Sequence, residues 1–192
     1  MRSASDRVIF TNMVAPLHLR LLTLDEWYAL PEDSAGRAEL SKGVAVVSPR
    51  PGMPHAEASM ELGFQLRSQV PATMKVLPEF EVVLNADYRP TIRVPDLVVC
   101  RRNAGGRSLV ARDVLLAVEI VSPSSRRVDH VTKREEYAAA GIQDYWIVDL
   151  DREVRLTALT LTKDGYDEVA ATGEFFSDKP FPMRLDLHSL TT

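Results

Sequence analysis

One cysteine, Cys100, is all that the 192 residues contain, which excludes an intrachain disulfide and a cysteine-rich zinc site. Long apolar runs are missing too: none approaches the roughly 18 residues that cross a bilayer as a helix. The opening "MRSASDRVIFTNMVAPLHLR" has no continuous apolar stretch leading to a small-residue cleavage site, so no secretory signal is expected. Excess positive charge is absent as well. A net charge of −4 and a pI near 5.6 argue against a protein that coats nucleic acid by bulk charge. There is no internal repeat, low-complexity tract or linker, and no helix-turn-helix stands apart from the rest. The expectation is an intracellular, cytoplasmic protein without membrane association. One domain is expected over 21–192, behind a loosely held arm over 1–20.

What is present is a mixed α and β pattern. Thr23 with Glu26 three residues on predicts a capped helix in "TLDEWYAL", ended by the turn residues of "PEDSAG". "AELSKGVAVVSPRPG" predicts two short strands around Ser41-Lys42-Gly43. From Pro54 to Val70, Ala58, Leu62, Leu66 and Val70 recur at helical spacing, with Met60 and Phe64 expected to widen the same face. Strands are predicted in "KVLPEFEVVL", "TIRVPDLVVC", "VLLAVEIV" and "DYWIVDLD". A helix over "DHVTKREEYAAAG" should end at Gly141, and a hairpin should turn at Lys163-Asp164-Gly165. These add up to one central sheet flanked by helices. The tail "FFSDKPFPMRLDL" is left to pack on that sheet or on a second subunit.

Three carboxylates sit where ordinary packing does not want them. Glu119 lies inside the nearly continuous apolar run "DVLLAVEIVSPSS"; burying it ionised is costly without a partner. Asp96 follows a proline and leads straight into an apolar strand, and Glu39 falls at the first strand. Carboxylates from neighbouring strands can converge at one end of a sheet and offer hard oxygen ligands to Mg²⁺ or Mn²⁺, with Lys133 near enough to steady charge on a phosphate. Singly, each has an ordinary reading. Asp after Pro is a common turn residue, a Glu in an apolar run can face solvent from an edge strand, and Lys133 can pair with Glu136 on a helix surface. His55 can be a polar neighbour of a helix start. Arg101 and Arg102 in "RRNAGGRSLVAR", and Arg126 and Arg127 in "SSRRVDHVTKR", can be solvated surface or a grip on phosphates.

In order along the chain, "RAELSKG", "SPRPGMPHAE", "VPDLVVC" and "LLAVEIVSPSSRRVDHVTKREEYAAAGIQDYWIVDL" resemble the putative restriction endonuclease family of the PD-(D/E)XK nuclease superfamily. The resemblance implies an α/β (α+β mixed) fold with a restriction-endonuclease-like core and a divalent metal, Mg²⁺ or Mn²⁺. It matches Asp96 to the first motif carboxylate, Glu119 to the acid of the (D/E)XK strand, and Glu39 to a further acid from the N-terminal part. One departure stands out: Val121 occupies the position of the motif lysine. The resemblance implies that the lysine has moved to the next helix, as Lys133. The implied activity is an endonuclease hydrolysing DNA phosphodiester bonds. Asp96, Glu119 and Glu39 would lie at the metal, Lys133 beside them, and His55, Tyr137 and the four arginines near substrate. A homodimer is implied for cutting both strands. The rival readings are a catalytically inactive nuclease fold used as a binding module, favoured by Val121, and a hydrolase acting on other phosphate esters.

Overall fold

A computed structural model describes residues 21–30, 37–122 and 125–191. The expected arm over 1–20, the "PEDSAG" turn and Pro123-Ser124 lie outside the described residues. Helix α1 (Leu24–Ala29) is capped as its sequence predicts: Thr23 Oγ1 accepts from Glu26 N–H at 3.2 Å, and Glu26 Oε2 accepts from Thr23 N–H at 2.9 Å. Strands β1 (Arg37–Ser41) and β2 (Val44–Ser48) form a hairpin with Ser41 opposite Val44. Its two-residue turn has φ of 49° at Lys42 and 83° at Gly43, the positive pair that a tight hairpin of this kind requires. Helix α2 (Met53–Gln69) follows, with Pro54 in its first turn, where a missing N–H costs nothing.

The predicted strand "KVLPEFEVVL" is two strands, β3 (Met74–Pro78) and β4 (Val82–Asn85). "TIRVPDLVVC" is likewise two, β5 (Thr91–Arg93) and β6 (Leu97–Arg101). Each breaks beside a proline, and its halves enter different sheets. Pro78 and Pro95 cannot donate to a ladder, so both strands bend at neighbouring points, tied by a Glu79 N–H to Asp96 carbonyl bond of 3.1 Å. After β7 (Leu109–Val110) comes β8 (Val114–Val121), the strand that carries Glu119. A π-helical turn (Val128–Lys133) runs into α3 (Arg134–Ala139). Gly141, at φ 77°, then closes the helix: Gly141 N–H bonds Ala138, and Ile142 N–H bonds Tyr137, each at 3.0 Å. Strands β9 (Asp144–Asp149), β10 (Arg155–Thr162), β11 (Gly165–Thr172), β12 (Glu174–Ser177) and β13 (Met183–Asp186) complete the chain.

The described residues form two larger sheets, the first of them a mixed sheet with α2 and α3 on its two faces, as expected of the central one. A six-stranded mixed sheet has the order β11-β10-β9-β8-β6-β3, with β8 and β9 parallel across the crossover helix. A five-stranded sheet has the order β2-β1-β5-β4-β7. The first face of the six-stranded sheet packs Leu116, Val118 and Ile120 against Ala58, Leu62 and Leu66 of α2. The C-terminal hairpin β12–β13 folds back on this core through Phe175, Met183 and Leu185, with Phe175 edge-on to Trp146 at 5.4 Å. Met60 and Phe64 do not share that face; they are 73% and 67% exposed. At 100° per residue, positions two on from Ala58 and Leu62 point away from the core. The opposite face of β8 carries Ala117, Glu119 and Val121 toward α3, in a core with Tyr137 and Tyr145. Among the described residues no helix is long and apolar enough to cross a membrane.

Candidate active site

Where the two sheets meet, a cleft of about 580 Å³ is lined by β1, the first turn of α2, the bend before β6, the end of β8 and the π-helical turn. Asp96 reaches it from the bend. The β6–β8 ladder is paired as far as Leu97 opposite Val118. Beyond it, the Ile120 N–H is taken by Asp96 Oδ2 at 2.6 Å, which fixes the carboxylate beside β8. His55, on the first turn of α2, places Nε2 3.2 Å from the same oxygen, and its Nδ1 is buried without a hydrogen-bond partner among the described residues. Arg37 on β1 approaches from the other side, with Nη1 2.5 Å from Asp96 Oδ1 and Nη2 3.9 Å from Glu119 Oε2. One guanidinium therefore spans an acid on the bend before β6 and another on β8.

Glu119 is 1% exposed on a strand flanked on both sides, so the edge-strand alternative does not hold. Its Oε1 accepts from Tyr137 OH at 2.7 Å and from Lys133 Nζ at 2.8 Å. Lys133 is not a surface lysine paired with Glu136. It is 3% exposed, and its ammonium also lies 3.2 Å from Asp129 and 3.7 Å from Glu39. Glu136 instead holds Arg93, through contacts of 2.7 and 2.9 Å. Lys133 thus reaches Glu119 from the element that follows β8. Val121 itself is buried in the apolar core.

Glu39 has partners other than those expected of a metal ligand. Its Oε1 accepts the Val94 N–H at 3.0 Å, and its Oε2 accepts Arg93 Nη1 at 2.9 Å. Each oxygen thus already accepts one hydrogen bond, and Glu39 lines the cleft 3.7 Å from the Lys133 ammonium. Arg101 and Arg102 do not line the cleft. Arg101 ends β6, about 16 Å along the strand from Asp96 at the usual rise of about 3.3 Å per residue. Arg126 is bound to Asp149 at 2.6 Å and to Asp151 at 3.0 Å, and Arg127 is exposed between Ser125 and Val128, which line the rim.

Charge in the cleft is set by burial and by close neighbours. Burial alone would raise Asp96; the His55 hydrogen bond, the Arg37 guanidinium and the Ile120 N–H outweigh it and hold the carboxyl below its ordinary range. Glu39 is likewise depressed, as Lys133, Arg93 and the Val94 N–H overcome its desolvation. Glu119 goes the other way. Complete burial pushes it up to about 8 against the pull of Lys133, with Asp96, Asp129 and Glu39 adding to the rise. Burial opposes the Lys133 ammonium, but Glu119, Glu39 and Asp129 raise its pKa, so it stays protonated.

Sequence reasoning missed Arg37, Arg93 and Asp129. Arg37, Glu39 and Ser41 alternate along β1 and all line the cleft, a period-two signal that was present in "RAELS". Asp129, Lys133 and Tyr137 are four residues apart on one helical face, the spacing that brings them all toward Glu119. Arg93 carries no comparable mark.

Among the described residues no three His, Cys, Asp or Glu side chains form a ready-made metal cage. The donor chemistry nevertheless suits a small divalent cation, since Mg²⁺ is commonly held by one or two carboxylates with waters and substrate phosphate filling the rest. Asp96 and Glu119 supply those two carboxylates, and Glu119 Oε2 has only the 3.9 Å approach of Arg37 among the described residues.

The profile of the Uma2 family, described as a putative restriction endonuclease, matches residues 24–188. Among solved structures, the chain is similar to one described as a putative nuclease belonging to DUF820 from Anabaena variabilis ATCC 29413. The two share 18% identity and a TM-score of 0.67, over 88% of this chain and 97% of that one. At that identity the likeness shows the fold. No curated protein is detectably similar to the chain.

Proposed function

Because the chain belongs to the putative restriction endonuclease family, we infer that the cleft is the active site of a divalent-metal-dependent endonuclease acting on DNA. The observation that carries this reading is the convergence of Asp96, from the bend between the sheets, with Glu119, from the middle of β8, under a single guanidinium. Asp96 and Glu119 would hold Mg²⁺ or Mn²⁺. The ion would supply charge on the scissile phosphate and a lowered pKa for attacking water.

The protein groups do the rest. Ile120 N–H and His55 aim Asp96; Tyr137 OH and Lys133 aim Glu119. Lys133, held as an ammonium among three carboxylates, is a donor toward developing negative charge rather than a base. Glu39 positions Lys133 and Arg93. Arg127, exposed at the rim, is assigned to the phosphate backbone beyond the cleft. Residues 21–192 act as one nuclease-like domain, and the same reading puts the protein in the cytoplasm beside cellular DNA. A homodimer belongs to the same reading. β2 is an edge strand whose exposed Val44, Val46 and Val47 carry no charge to blunt pairing with a second copy.

Two observations favour a catalytically inactive binding module: Arg37 already neutralises Asp96, and Val121 fills the motif lysine position. Calorimetric titration of Mn²⁺ to millimolar concentration, with Asp96→Ala and Glu119→Ala alongside, separates the two. The nuclease reading expects binding that both variants lose, and metal-dependent nicking of plasmid DNA lost with it. A folded wild type that takes up no Mn²⁺ would leave the binding module standing.

A further inference from the structure

The geometry points to Arg37 as a displaceable stand-in for the metal, one that becomes a phosphate clamp once the metal has taken its place. The inference rests on the nuclease reading above. Among the described residues, Arg37 is the cation that approaches both proposed ligands, Asp96 Oδ1 at 2.5 Å and Glu119 Oε2 at 3.9 Å. Lys133 takes the other oxygen of Glu119, so the two cations flank that carboxylate from opposite sides. A divalent ion between Asp96 and Glu119 would meet the guanidinium at contact distance, and like charges so close cannot both stay.

Arg37 is built to leave, and Lys133 is not. The Arg37 side chain is 23% accessible and opens on the cleft, whereas Lys133 is 4% accessible and closed in by Glu119, Asp129 and Glu39. Arg37 also begins β1 at the mouth of the cleft, so its side chain can turn outward while the strand stays paired to β2. A planar fork released there faces the space that a scissile phosphate must fill, and guanidinium binds phosphate through two parallel hydrogen bonds. The metal-free protein thereby keeps its buried acids neutralised, and metal and substrate charge are then met by one residue in two positions.

The test combines Mn²⁺ calorimetry with duplex-oligonucleotide binding in Ca²⁺, for wild type, Arg37→Met and Arg37→Lys. The expected signature is opposite in sign: Arg37→Met binds Mn²⁺ about tenfold more tightly, yet binds the duplex about tenfold more weakly. Arg37→Lys keeps the charge without the fork, so it should fold even if the methionine variant does not. It should bind metal more tightly than wild type and still lose duplex affinity. A residue with only a structural role cannot move the two affinities apart. Equal or weaker Mn²⁺ binding in both variants, or unchanged duplex binding, overturns the inference while leaving the nuclease reading intact. Absence of Mn²⁺ binding in all three folded proteins overturns the nuclease reading itself, and the inference with it.

Discussion

The Lys133 ammonium lies 2.8 Å from Glu119 Oε1, although one residue is on a π-helical turn and the other in the middle of a sheet. Both are nearly inaccessible, so neither charge can be relieved by water if the other is removed. Lys133→Met should destabilise the protein by about 3–5 kcal/mol, because Glu119 and Asp129 lose a buried cation. Adding Glu119→Gln should recover part of that loss, as the orphaned charge goes with it. Urea unfolding of the two single variants and the double variant above pH 8, where Glu119 is ionised, measures this. A Lys133→Met cost below about 1 kcal/mol would mean that the pair is solvated and the site wrongly described.

The pH dependence follows from the opposite shifts of the carboxyls. The Glu119 pKa is raised from 4.5 to about 8 in the folded protein, chiefly by burial. The folded state therefore holds its proton more tightly than the unfolded chain does. That contribution to stability is complete below pH 4.5 and is gone once pH has passed about 8. Asp96 and Glu39 are depressed, so their contributions are lost only on acidification below the ordinary carboxylate range. His55 is raised despite burial, by its hydrogen bond to Asp96, so it adds to the loss as pH rises through and beyond its ordinary 6.5. Metal-free protein should become less stable from pH 5 to 8, and Glu119→Gln should flatten most of that slope. Thermal melts across this range decide it; a wild type and variant with parallel profiles would show that Glu119 does not titrate there.

Local chemistry was legible in the sequence where one or two residues suffice to specify it. The Thr23–Glu26 cap, the Lys42-Gly43 turn and the Gly141 helix end each depend on neighbours in the chain, and each stands as expected. Asp96, Glu119 and Lys133 were also legible, because a carboxylate in an apolar run and an ordered set of motifs mark them. The division of two predicted strands between two sheets was not. Pro78 and Pro95 announce a break, but not that the halves on either side join different sheets. Arg37 was hidden for a similar reason: its importance lies in spanning Asp96 and Glu119, a relation between three distant parts of the chain. The alternation in "RAELS" puts it on the same face as Glu39, but nothing local says that this face meets Asp96 and Glu119.

Helix α2 offers a direct contrast between its two faces. Leu62 is fully buried among Ala58, Leu66 and the six-stranded sheet, so Leu62→Ala should cost about 2–5 kcal/mol. Phe64, two residues on, is 67% exposed, and Phe64→Ser should change stability by no more than about 0.5 kcal/mol. Denaturant midpoints at constant slope read both values. A large loss at Phe64 would show that its side chain is covered in solution, with a second copy of the chain the first candidate to examine by sedimentation.

The four arginines expected near substrate divide by position, and salt dependence can tell them apart. Arg127 is exposed where Ser125 and Val128 form the rim of the cleft, while Arg101 is the last residue of β6, at its far end, and Arg102 follows it. Each phosphate contact contributes about 0.9 to the slope of log affinity against log salt on duplex DNA. Arg127→Ser should lower that slope by about one contact's worth and weaken binding evenly across sequences. Arg101→Ser with Arg102→Ser should leave it unchanged. Arg126 is committed to Asp149 and Asp151, so its removal should lower stability more than it alters the slope. Fluorescence anisotropy with a labelled duplex in Ca²⁺, repeated from low to physiological salt, gives all three slopes, and a thermal melt gives the stability of the Arg126 variant. If the Arg101/Arg102 pair changes the slope and Arg127 does not, DNA crosses the protein at the other end of the sheet, and the cleft around Asp96 loses its claim to the phosphodiester.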